Sequence, residues 1–193
     1  VGTKSYAIAA TVGLALGAGA LLAAAASASA PYGIDEYDLD AIQGNAKSSP
    51  AQVPLPGNLD PAMLDGGEVD PSTLQSFASS EAAEFHTALN RDGELCLVAS
   101  VGGKDWAVAT SCSTPQQFNE DGIGIRLETP TIAFESYLIP DAVAGKIDFA
   151  DVDGITTMVN GNLVVVDSAA TEAERAAMSD ELATAGVTPL EGE

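Results

Sequence analysis

The chain has 193 residues, a length that suits one domain with attachments. Its 28 Asp and Glu outnumber its seven Lys and Arg for a formal charge of −21, so it lacks the basic footprint that binding to nucleic acid or anionic lipid needs. Two cysteines and one histidine are too few for a four-cysteine zinc site, a multi-histidine metal centre or a cysteine-dense mini-scaffold.

Charge divides the chain near residue 31. Residues 1–30 hold Lys4 and no acid, whereas the remainder holds six basic and all 28 acidic residues, or −22. Ala7–Ala26 is a run of Ala, Gly, Leu, Val, Ile and Thr. As a helix it would span roughly 30 Å, the thickness of a bilayer's hydrocarbon core. Residues 1–30 therefore read in two ways. One is a signal peptide cleaved after Ala28, where Ala26 and Ala28 give the small-residue pattern. The other is an uncleaved transmembrane anchor with the acidic part outside, in which Gly13 and Gly17 would let two helices approach. Both readings place the acidic part beyond the membrane, secreted or single-pass anchored.

Residues 31–71 contain six of the ten prolines and few large apolar side chains. Such a stretch buries too little surface to offset its chain entropy and reads as an acidic, Pro-rich, disordered linker. A compact domain is expected over residues 72–186, with a tail from 187 to 193. Ser72–Ser80 fits either a strand or a short helix capped by Asp70 with Pro71 at its first position. Glu84–Leu89 reads as a strand with Phe85, Thr87 and Leu89 on one face. Asn90–Gly93 supplies a turn, Glu94–Val101 a partner strand, Gly102–Asp105 a second turn and Trp106–Cys112 a third strand. If the second turn centres on Lys104, Cys96 and Cys112 lie directly opposite each other, at a separation that a disulfide can span. In an exported chain such a pair reads as a structural bridge.

Thr114-Pro115-Gln116-Gln117 has capping-box spacing with Pro at the first helical position, so a short helix is expected to run to Asp121. Ile123–Glu128 alternates as a half-buried strand, and Thr131–Ile139 is a further strand stopped by Pro140. Ile155–Val159 and Asn162–Asp167 flank Asn160-Gly161, the signature of a type I′ hairpin. The apolar run Leu163–Val166 reads as a central strand buried on both faces. A final helix is expected from Glu172 to Thr184, with Thr171 and Glu174 as a capping box and Gly186 as its stop. The class is α+β: a mainly antiparallel sheet of meander and hairpins, a short helix and a C-terminal helix, preceded by the apolar helix and the linker.

The pattern Gly93-Glu94-Leu95-Cys96-Leu97-Val98, then Trp106, Ser111-Cys112, Phe118 with Gly122, and Tyr137-Leu138-Ile139-Pro140-Asp141 resembles a loosely defined group of exported actinobacterial proteins. These carry an apolar N-terminal segment, a Pro-rich linker and a small two-cysteine domain. The resemblance spans roughly residues 84–167. It implies an envelope or secreted location and transfers no catalytic residue.

Chemical motifs are sparse. There is no nucleophile elbow and no phosphate-binding loop, and Gly122-Ile123-Gly124 lacks the third glycine of a dinucleotide site. His86 sits mid-strand and reads as a strand residue. Asp148, Asp151, Asp153 and Gly154 hint at a calcium loop, but aligning Gly154 with the loop glycine puts Phe149 and Asn160 at ligand positions. No catalytic, cofactor or metal residue is therefore assigned. The expectation is a non-catalytic interaction domain for an unidentified protein or envelope component, with a small carboxylate-using hydrolase as the alternative.

Overall fold

The computed structural model describes residues 32–46, 64, 69–103, 106–147, 149 and 152–190. The apolar segment 1–30, linker residues 47–63 and the tail end 191–193 lie outside the described residues. In chain order the elements are α1 (Asp40–Ala46), β1 (Gln75–Ser79), β2 (Glu84–Leu89), β3 (Leu95–Val101), β4 (Ala107–Ser113), α2 (Pro115–Asp121), β5 (Ile123–Glu128), β6 (Ala133–Leu138), α3 (Asp141–Ala144), β7 (Ile155–Met158), β8 (Leu163–Asp167) and α4 (Glu172–Ala185). Short 3-10 turns precede α1 and β1 and join β7 to β8.

The strands form two four-stranded antiparallel sheets, ordered β1-β2-β3-β4 and β5-β6-β8-β7. This is the α+β class expected, divided between two sheets. Ser72–Ser80 resolves into both of its readings, a 3-10 turn over Pro71–Thr73 capped by Asp70 and then β1. The β7–β8 turn has the left-handed φ values that Asn-Gly favours, 58° at Asn160 and 94° at Gly161. The Asn162 N–H closes that turn on the Val159 carbonyl at 3.1 Å.

Apolar alternation on the strands builds three clusters. Phe85, Leu95, Leu97 and Ala99 of the first sheet meet Ile123, Ile125, Leu127, Phe134, Leu138, Leu163 and Val165 of the second. Across this core Phe85 and Phe134 stand edge to face, ring centroids 5.7 Å apart. On the far side of the second sheet, Tyr137, Val164 and Val166 pack under Met178 and Leu182 of α4. On the far side of the first, Ala88, Cys96 and Val98 pack with Leu64 and Val69. β3 and β8 are thus buried on both faces, as the Leu163–Val166 run required.

Two boundaries differ from the sequence expectation. Residues 32–46 do not behave as a linker: Tyr37, Leu39 and Ile42 are buried in the core between the sheets. Three large side chains suffice because they fill a space that the sheets leave open, which local composition does not register. Asp38 and Asp141 then cap one another's helices, Asp141 accepting from the Asp40 N–H at 2.6 Å and Asp38 from the Ala142 N–H at 2.9 Å. The tail is also anchored, since Val187 is buried and the Leu190 N–H reaches the Tyr137 hydroxyl at 3.3 Å.

Gly154 has φ of 73°, and a Cβ there would come within 2.7 Å of the Ala170 Cα. Its glycine character comes from this backbone approach. Gly154→Ala is expected to destabilise by about 2 kcal/mol, from the left-handed backbone and the displaced 170 turn. Urea denaturation would measure it, and an unchanged midpoint would show that the two segments can separate freely.

Candidate functional site

The Cys96–Cys112 bridge sits where the register demands. Every β3–β4 pair keeps the spacing that sets Cys96 opposite Cys112, from Leu95 opposite Ser113 to Val101 opposite Ala107. The sulfurs are 2.04 Å apart and the Cα atoms 4.0 Å apart. So short a Cα separation marks a pair that shares no ladder hydrogen bonds. The alternation then fixes the rest of β4. Ala107, Ala109, Ser111 and Ser113 face β3 with their backbone groups, whereas Val108, Thr110 and Cys112 direct theirs away from it. The other side of β3 obeys the same alternation, because the Leu89 carbonyl turns from β3 to accept the Asp70 N–H at 2.9 Å.

β4 is the last strand of its sheet. Among the described residues no strand pairs with its outer edge, and no turn or loop bond ends on Val108, Thr110 or Cys112. The four sheet edges differ in protection. β1 carries a register break between Ser76 and Ala78, β5 carries Arg126 and Glu128, and β7 is four residues long. β4 runs for seven residues with no charge and no break. Long, flat, uncharged edges are what native sheets otherwise avoid. Trp106, 55% exposed, precedes this edge. At its other end a cavity of about 270 Å³ is lined by Ser111, Cys112, Ser113, Gln117, Asp121 and Thr188 among others. Asp121 is exposed there, fixed by the Thr188 hydroxyl at 2.9 Å.

The other sequence candidates do not converge on this site. His86 lies in β2 on the face shared with Ala88, 3% exposed, with neither ring nitrogen hydrogen-bonded. Burial pushes its pKa below the ordinary value of 6.5, opposed by the Glu84 carboxylate 3.8 Å away. The imidazole is therefore neutral at pH 7. A depressed folded pKa means stability that is complete above about pH 6.5 and falls as the pH drops further, because the unfolded chain binds the proton more readily. His86→Leu is expected to add about 1–2 kcal/mol at pH 7 by removing two unsatisfied buried nitrogens, and to flatten the stability profile below pH 6.5. Thermal unfolding of both forms across that range checks it; parallel profiles would sink the account.

Asp148 and Asp151 lie outside the described residues, and among the described residues no group of three or more His, Cys, Asp or Glu could hold a metal ion. Lys104 is likewise outside them. Gly122-Ile123-Gly124 joins α2 to β5, where the Gly122 N–H closes the helix on the Phe118 carbonyl at 2.8 Å. The carboxylates of Asp38 and Asp141 are occupied by backbone N–H groups, and Asp141 also accepts from Asn162 at 2.7 Å. Sequence reading missed the β4 edge and Asp121. The absence of charge between Trp106 and Ser113 was the available signal for the edge.

Among the described residues no helix is long and apolar enough to cross a membrane. Comparison of the chain with protein-family models, with curated proteins and with solved structures finds no match to any of them. The class defined by fold and site is thus an α+β domain of two antiparallel sheets, with a disulfide that fits an oxidising, extracytoplasmic setting.

Proposed function

We propose that the chain is an exported, non-catalytic interaction domain, either tethered to the membrane by its N-terminal segment or released from it. The observation that carries this reading is the Cys96–Cys112 bridge, since bridges of this kind persist in oxidising compartments. The uncharged apolar run before residue 31 and the resemblance to exported two-cysteine proteins support the same location.

The test of location is intact mass and N-terminal sequencing of the native protein from fractionated cells and medium. A disulfide-bonded chain beginning near Ser29 in the medium, or retaining its apolar segment in the membrane fraction, is the expected result. Free thiols on a cytoplasmic chain would overturn it. Hydrolysis of an envelope polymer by the purified chain, abolished by a single carboxylate-to-amide change, would replace the binding reading with the enzymatic one.

A further inference from the structure

We infer that the outer edge of β4 is a docking strip for an extended peptide segment bearing Lys or Arg, which joins the first sheet as a fifth strand. The inference rests on the reading of the chain as an interaction domain and names its partner class. The backbone groups of Val108, Thr110 and Cys112 point away from β3 in an evenly spaced row, and only another extended backbone matches that spacing. The strip is held straight from behind. The bridge pins Cys112 to β3, while Ala107 and Ala109 pack against the core between the sheets.

Charge selects the occupant. The strip itself is uncharged, but it belongs to a chain of −21. Two copies pairing edge to edge would bring like fields within a Debye length, so a second copy is disfavoured. A cationic segment is attracted by the same field. Asp121, exposed in the cavity at one end of the strip, can receive a Lys or Arg side chain. Trp106 at the other end offers an aromatic face to apolar or cationic groups.

The experiment uses the full chain with its disulfide intact and the peptide Lys-Thr-Val-Thr-Val-Thr-Lys as probe. Amide hydrogen exchange of the free chain is expected to be fast at Val108 and Thr110 and slow at Ala109 and Ser111. Adding the peptide should slow Val108 and Thr110 selectively. Thr110→Pro removes an N–H that the β3–β4 ladder does not use, so the variant should keep its fold and bind at least about tenfold more weakly. Asp121→Asn should reduce the salt dependence of binding. Slow exchange at Val108 and Thr110 in the dilute free chain would mean that the chain covers its own edge, and overturns the proposal. Protection that rises with protein concentration alone would assign the edge to a second copy and overturn it as well. Peptide binding that Thr110→Pro leaves unchanged would move the site elsewhere and defeat the edge assignment, while the interaction-domain reading would stand. No binding of the peptide would defeat the edge assignment too; failure of the broader reading is seen separately, in cell fractionation and envelope-polymer hydrolysis.

Discussion

Tyr37→Phe is expected to lower the unfolding free energy by about 2–3 kcal/mol, and Tyr37→Ala by about 3–5 kcal/mol. Tyr37 is 1% exposed and lies in a segment whose composition reads as linker. Its hydroxyl accepts the Leu95 N–H at 2.8 Å and faces the carbonyls of Gly93 and Ser113 at 3.0 and 3.2 Å. Leu95 and Ser113 are the terminal pair of the β3–β4 ladder, so the phenol bridges the end of that ladder from across the fold. Phenylalanine preserves the edge-to-face contact with Phe118, centroids 5.9 Å apart, but loses the hydroxyl's buried polar contacts with the Leu95 N–H and the Gly93 and Ser113 carbonyls. Alanine adds a cavity to that loss.

Burial, with smaller contributions from Glu94 and other anionic neighbours, pushes the Tyr37 phenol up to about 12. A raised folded pKa implies stability that is complete below pH 10 and lost as the pH climbs through 12. The Phe variant should lack that alkaline component. Urea denaturation at pH 7 and pH 11 measures both effects, with the slope unchanged if the unfolded state is unaffected. A wild-type stability at pH 7 matched by Tyr37→Ala would mean that residues 32–46 are not integral to the fold.

What the sequence disclosed and what it withheld separate by range. The capping boxes at Thr114–Gln117 and Thr171–Glu174 are present as read, because both partners lie within one helical turn. The Ile123, Ile125, Leu127 face is buried as read, because alternation along a strand states which side meets the core. The Cys96–Cys112 pairing was legible for a similar reason: a short hairpin turn propagates its register down both strands. Long-range features left no local trace. Nothing near Asp38 announces that its carboxylate will cap a helix 104 residues away, or that Tyr37 will complete a ladder 58 residues on. Placement of β8 between β6 and β7 is intermediate. Its apolar run announced a central strand, whereas its second neighbour depends on how the chain returns after α3. The candidate site inherits this mixture. The parity of β4 follows from the readable disulfide register, whereas its place as an unpaired last strand follows from a division into two sheets that no local pattern carries.

Replacing both Cys96 and Cys112 by Ala is expected to cost about 3 kcal/mol, the chain-entropy value for opening a loop of roughly this length. The loss should not simply add to that of Tyr37→Phe. Cys96 and Cys112 are the pair next to Leu95 and Ser113, so the disulfide and the phenol restrain the same end of one hairpin. With the bridge present, the loss of the hydroxyl leaves β4 covalently held. Without the bridge, only the terminal ladder pair and the hydroxyl hold that end, and removal of the hydroxyl lets the strand fray. A double-mutant cycle should therefore give an interaction energy of at least about 0.5 kcal/mol, the combined loss exceeding the sum of the separate ones. Amide exchange at Ala109 and Ser111 reports the same event locally, slow in wild type and either single background and fast in the combined variant. Strict additivity would mean that the two restraints act on independent parts of the fold. Coupling would mean that the strip offered by β4 is kept straight jointly, by a bridge the sequence displays and a tyrosine it conceals.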